Sequence, residues 1–449
     1  MLEKLYAKWM YAWETALTTR DTNRVVRPLE WGEDWLAEFL PWAGLGDGGV
    51  GREADSSTTL RSGRNDNSEA VGFGRNDTVD GNVGFERMVR LNESIVAHAD
   101  EFFGYETPTD FRLEMRHPQL FPTNVRPETL EQAAEYRRLE ESGEGNKVEF
   151  LRFTSPVRTR YPENDVVNAR WYPARNTAKV DSFASLRNDK TTKQASPSKP
   201  KQAIIVMPQW NADAFSHNAL CTLFNRFGIS TLRLSKPYHD IRRPAELERS
   251  DYAVSSNVGR TISACRQAVV DIRSCIDWLE QQGYEQFGVL GTSLGSCYAF
   301  IAAAFDPRLR VCAFNHASTS FGDVVWTGQS TRHIRAAFEQ AGLTQEDVRA
   351  VFDAISPHAY VERFAAQPKK VLVVHATYDL TFIREFSLEV LKHLDRLKVD
   401  YVSRVLPCGH YTTGETPYKY IDGWYLGSFV YHAFKTLREE HTRVKQDAP

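Results

Sequence analysis

The chain has 449 residues, 42% of them hydrophobic and 25% charged, with a formal net charge of -3. That length suits one large α/β domain with additions, or two domains, and the composition is ordinary for a globular protein. The charge balance gives no sign of the broad basic face that a nucleic-acid partner requires, and no run of about 18 apolar residues is present to span a membrane.

Residues 1–43 read as an N-terminal helical arm. Leu2, Leu5, Trp9, Trp13 and Ala16 recur at steps of three and four, which predicts one apolar helix face. Glu3, Lys4, Lys8 and Glu14 interrupt the stretch, so a secretory signal is not expected. A second short helical pattern surrounds Trp31, Trp35 and Phe39. Five of the ten tryptophans lie in this arm. So much apolar surface needs a cover: the main domain, or a second subunit in a homo-oligomer. A lipid surface is the weaker alternative, because no long basic face accompanies the aromatics.

Residues 44–84 are dense in Gly, Asn, Asp and Ser and repeat Gly-Arg-Asn-Asp, a composition that predicts a flexible insertion without chemistry of its own. A helical extension follows over 85–146, with patterns at 85–103 and 127–141. From residue 147 to the end, 147–449, the chain reads as one α/β domain. Val148–Thr154 and Val166–Tyr172 suit antiparallel edge strands, and a polar tract over 176–201 reads as an exposed loop. Six short apolar runs then begin at Ala203, Ser230, Phe287, Val311, Val371 and Val402. Continuous apolar strands imply burial on both faces, as in a parallel sheet. Helical patterns separate them. The clearest carries Val258, Ile262, Cys265, Val269, Ile272, Ile276 and Leu279 and stops at Gly283. This alternation predicts a doubly wound α/β fold. A mostly helical excursion over 318–367 predicts a cap on the edge of the sheet where ligands bind.

The chemistry is concentrated at Gly291-Thr292-Ser293-Leu294-Gly295, which follows one apolar strand and opens a small-residue helix. Strand, tight turn and helix around G-x-S-x-G make a nucleophile elbow. Ser293 is the expected nucleophile, and the Leu294 N–H the first oxyanion donor. A serine hydroxyl needs a base to take its proton. His410, in the Gly-His turn after the last strand, is the expected base. Asp379, on the loop after the penultimate strand, is the expected acid that orients it. The order Ser, Asp, His along the chain is the α/β-hydrolase order. The loop Pro208-Gln209-Trp210 should supply the second oxyanion donor, from Gln209 or Trp210. Tyr238, His239, His316 and Thr292 are expected around the substrate pocket. The six cysteines sit singly, with no Cys-x-x-Cys pair, which argues against a zinc site and for reduced thiols in a cytoplasmic protein. No metal or cofactor is expected.

The elbow, the acid loop and the Gly409-His410 turn resemble those of the α/β-hydrolase superfamily from about Val148 onward. More narrowly, Met207–Asp213, Lys236–Asp240 and Gly291–Ser296 are similar to a little-characterised bacterial branch. That branch is related to the α/β-hydrolase-domain-containing protein 18 group and, more distantly, to dienelactone hydrolases and acetyl esterases. The resemblance implies an eight-stranded, mostly parallel sheet and cleavage of small carboxylic esters through an acyl-enzyme. Two departures limit it. Ser293 stands where dienelactone hydrolases carry cysteine, and Met207-Pro208-Gln209-Trp210 replaces the usual His-Gly of the oxyanion loop. The aromatic-rich cap and arm favour a hydrophobic acyl or aryl substrate. The same triad could serve an acyltransferase, a thioesterase or an amidase, and the fold could also carry a non-catalytic binding protein.

Overall fold

A computed structural model describes residues 2–45, 77–123, 126–174 and 200–447. Its centre is a nine-stranded sheet: β1 (Arg112–Arg116), β2 (Val148–Thr154), β3 (Val166–Tyr172), β4 (Gln202–Met207), β5 (Ser230–Ser235), β6 (Gln286–Thr292), β7 (Leu309–Asn315), β8 (Lys370–Ala376) and β9 (Tyr401–Leu406). They lie in the order β1-β2-β3-β5-β4-β6-β7-β8-β9. The first three are antiparallel to their neighbours, and β4 to β9 run parallel. The expected count of eight strands is one too few. The added strand, β1, is a charged edge strand, Arg-Leu-Glu-Met-Arg, with Leu113 and Met115 exposed. It alternates in polarity, but it is short and carries no β-branched or aromatic residue, so it gives a weak strand signal.

The central strands are buried on both faces because their side chains alternate between two cores. Ala203, Ile205 and Met207 of β4 enter one core, with the helices Val258–Gln281 and Leu294–Phe305. Ile204 and Val206 enter the other, with the last helix, Tyr418–Asp447. The cap region holds short helices at Phe321–Thr327, Arg332–Gln340 and Gln345–Val351.

The N-terminal helix, Leu2–Thr18, lies on the chain's own main body, but not by the expected face. Met10, Glu14, Leu17 and Thr18 are buried, whereas Leu2, Leu5 and Trp9 are exposed. The buried face includes the Glu14 carboxylate, which accepts the N–H groups of Tyr411 and Thr412, so apolar spacing alone points to the wrong side. Most of the expected flexible insertion, 46–76, lies outside the described residues, as does the polar tract over 175–199. The end of that insertion, 77–84, is instead the start of a helix, Asp77–Ala97. Among the described residues no helix is long and apolar enough to cross a membrane.

Candidate active site

Ser293 sits between β6 and the helix Leu294–Phe305 at φ 57°, ψ -122°. A non-glycine residue in that conformation stores roughly 1–3 kcal/mol of strain. The flanking glycines make the turn feasible. A Cβ on Gly291 would lie 2.2 Å from the Gly295 carbonyl oxygen, and one on Gly295 would lie 2.2 Å from the Met207 carbonyl oxygen. The second distance shows how closely the elbow backbone approaches the end of β4. The Ser293 N–H donates to the Asn315 carbonyl at the end of β7, at 2.8 Å. Asn315 in turn donates through Nδ2 to Asp422 of the last helix at 2.9 Å.

Ser293 Oγ lies 3.0 Å from His410 Nε2, and His410 Nδ1 lies 2.9 Å from Asp379 Oδ2. The carboxylate accepts only, so Nδ1 carries the proton and Nε2 is free to accept from the serine. Phe382 stacks on the His410 ring, 5.3 Å between centroids and 7° from parallel. Asp379 is fully satisfied. Its Oδ1 accepts the Thr381 and Phe382 N–H groups at 2.8 and 2.7 Å. Its Oδ2 also accepts from His316 Nδ1 at 2.9 Å. Burial acts to raise the Asp379 pKa, but the His410 charge and the bonds from both imidazoles hold it well below the usual carboxylate range. Burial likewise acts against a charged His410. The Asp379 charge and hydrogen bond, with a smaller contribution from Glu14, outweigh it and leave His410 above the ordinary imidazole value.

His316 is thus a second imidazole on the acid rather than a wall of the pocket. Its ring centroid is 4.5 Å from that of His410, and its pKa is lowered by burial and then by the His410 charge. His316, Asp379 and His410 bring three ligand-type atoms within 4.8 Å of one another. Both imidazole nitrogens already donate to the one Asp379 oxygen, so the cluster reads as a hydrogen-bonded relay.

Leu294 begins its helix directly after Ser293, and Trp210 lines the cavity in front of the serine. That cavity is walled mainly by apolar side chains, with the hydroxyl residues Ser318, Ser320, Ser330, Thr331 and Thr381 among them. Leu294, Cys297, Phe321, Val325 and Phe382 contribute to it with Trp210, so the cap and the acid loop both form its wall. Trp210 also stacks on His333 of the cap, 5° from parallel.

Tyr238, His239 and Thr292 are not among the residues lining this cavity. Two buried ion pairs, Arg233–Asp240 and Arg242–Asp271, draw the loop after β5 inward, and Tyr238 and His239 become fully buried. His239 Nε2 accepts the Asn211 N–H at 3.1 Å, and Lys236 Nζ donates to the Gln209 carbonyl at 2.9 Å. This loop therefore stands behind the segment 209–211 and holds it. Burial keeps His239 well below its ordinary pKa, as suits an acceptor. Thr292 Oγ1 hydrogen-bonds His217 Nε2 at 2.9 Å.

Residues 265–419 match the prolyl oligopeptidase family, Peptidase_S9, a span that includes Ser293, Asp379 and His410. Two Escherichia coli proteins, each described as an uncharacterized 31.7 kDa protein in the traX-finO intergenic region, are 37% and 36% identical over 83 residues. Those residues are 18% of this chain and only 28% of each relative. Among solved structures, acetyl xylan esterase 1 from a Thermoanaerobacterium species is 13% identical with a TM-score of 0.46, over 79% of this chain and 94% of its own. The esterase Est1E from Butyrivibrio proteoclasticus is 13% identical with a TM-score of 0.39, over 60% of this chain and 96% of its own. The acylaminoacyl peptidase of Pyrococcus horikoshii is 11% identical with a TM-score of 0.43, over 66% of this chain and 46% of its own.

The sheet, the elbow and the family match define an α/β-hydrolase fold with a serine at the tip of its elbow. The matched family is named for a peptidase and the similar structures include an esterase, so the chemistry of this chain is argued from its own site.

Proposed function

We propose that the protein is a carboxylic-ester hydrolase with Ser293 as nucleophile, His410 as general base and acid, and Asp379 as the residue that orients His410. The observation that carries this reading is the continuous chain Ser293–His410–Asp379 at 3.0 and 2.9 Å, set on a strained elbow beside an apolar cavity. Ser293 Oγ attacks the ester carbonyl carbon while His410 Nε2 takes the hydroxyl proton. The Leu294 N–H and the Gln209 or Trp210 N–H receive the developing oxyanion. The carbon–oxygen bond to the alcohol breaks, and His410 returns the proton to the leaving oxygen. Water, deprotonated by His410, then attacks the acyl carbon. Ser293 leaves with that proton and the acid is released. The large apolar side chains of the wall, Trp210, Leu294, Phe321, Val325 and Phe382, suit an acyl or aryl group. The narrower likeness to the domain-containing protein 18 group is part of this reading and adds no substrate.

The family match favours a second reading, cleavage of an amide. A panel of p-nitrophenyl esters of rising acyl length, run beside aminoacyl p-nitroanilides, separates the two. The ester reading expects turnover of apolar esters that disappears in Ser293→Ala, with anilides slower by orders of magnitude. Anilide turnover equal to that of the esters would overturn it.

A further inference from the structure

We propose that Glu14 is a positioning residue of the active site, and that the N-terminal helix completes the site by holding the His410 loop. The inference rests on the triad proposed above. Glu14 is fully buried although most of its helix is exposed. A buried carboxylate is costly unless it is hydrogen-bonded, and this one is spent on the loop that carries the base. Its Oε1 accepts the Tyr411 N–H at 2.8 Å and its Oε2 accepts the Thr412 N–H at 3.0 Å. These are the two residues that follow His410, nearly 400 positions away in the chain.

The loop is shaped for this contact. A Cβ on Gly409 would lie 2.4 Å from Glu14 Oε2 and 2.5 Å from its Cδ, so the glycine beside the base is required by the carboxylate's approach. Tyr6, two turns earlier on the helix, donates to the Pro407 carbonyl and contacts the Tyr418 hydroxyl at 2.6 Å, gripping both ends of the loop. Farther along, Thr18 Oγ1 donates to Gln329 Oε1 at 2.8 Å, and Arg24 donates to the Ser330 carbonyl at 2.8 Å. Ser330 lines the cavity. The arm therefore ties the base loop to the cap wall.

Glu14 also acts on the base electrostatically. The groups facing His410 are Asp379, His316 and Glu14, and those facing Glu14 are His410, Asp379, the Cys408 thiol and the Tyr411 phenol. Burial raises the Glu14 pKa, and the Tyr411 and Thr412 bonds and the His410 charge oppose the rise. A negative Glu14 favours the imidazolium, so its removal lowers the His410 pKa.

The test is the rate of Ser293 phosphonylation by a fluorophosphonate from pH 5 to 9, in the full chain and in Glu14→Ala, Glu14→Gln and the helix-surface control Lys8→Ala. Hydrogen exchange of residues 409–414 is followed in each. Misplacing a reacting group by about 1 Å costs on the order of 100-fold. Glu14→Ala is expected to slow labelling by about tenfold to 100-fold and to speed exchange in 409–414. Glu14→Gln, which keeps the shape but loses the charge and one of the two N–H acceptors, is expected to recover part of the rate with its acid limb shifted to lower pH. Lys8→Ala should match the wild type. If Glu14→Ala does not fold, Glu14→Gln and its pH midpoint decide. An unchanged midpoint and unchanged exchange in 409–414 would overturn the proposal. A wild-type protein that is never labelled would instead sink the triad reading beneath it.

Discussion

His410 is the residue on which the proposed chemistry turns. As a base it must be neutral, and the Asp379 charge raises its pKa above the ordinary imidazole value. The kcat/KM profile is therefore expected to fall as pH drops through a midpoint above about 6.5. Asp379→Asn removes both the charge and the tautomer control. It should move that midpoint down and reduce the rate by a factor on the order of 10⁴; a profile with an unchanged midpoint would argue against His410 as the base. The turns that bring Ser293, Asp379 and His410 together were legible because they lie at strand ends, where spacing and neighbouring glycines restrict what a residue can do. His239 and His316 occupy equivalent turns, yet they face the Asn211 N–H and the Asp379 carboxylate. Which way such a side chain points is decided by packing, to which local pattern is blind. Glu14 left no signal, since a glutamate in an amphipathic helix reads as solvated surface.

At the scale of elements, the elbow is braced from behind by the last helix. Asp422 reaches Asn315 at the end of β7, whose carbonyl receives the Ser293 N–H. Burial pushes Asp422 up to about 7, against an opposing hydrogen bond from Asn315. Its folded-state pKa is thus above its unfolded value near 3.8. The folded protein binds the extra proton between those values, so stability falls as pH rises from about 4 to about 7 and stays reduced above that. Asp422→Asn imitates the protonated form. Melting curves are expected to show the variant more stable than wild type at pH 8, with the advantage lost at pH 4. A variant less stable at both pH values would refute this. The strands β2 to β9 were readable because β-branched and apolar runs are bounded by turn residues. β1 was not, since a charged edge strand owes its existence to its partner. The helix start at 77–84 was hidden by Gly and Asn, which disfavour a helix locally.

The whole molecule is a sheet with a core on each face, a cap on one rim and an arm fastened across the base loop and the cap. The direction in which the arm packs follows from one buried carboxylate, and composition could indicate only that its aromatics needed cover. Trp9, Tyr11, Leu2 and Leu5 remain exposed after the arm has docked.

The central claim is that Ser293 is an activated nucleophile. Its most direct test is peptide mass spectrometry of the folded protein after reaction with a fluorophosphonate, with Ser293→Ala alongside. The expected result is one phosphonyl adduct on the peptide bearing Ser293 and none in the variant. No adduct on the folded protein even with a small, apolar phosphonate, or an adduct that persists in Ser293→Ala, would contradict it.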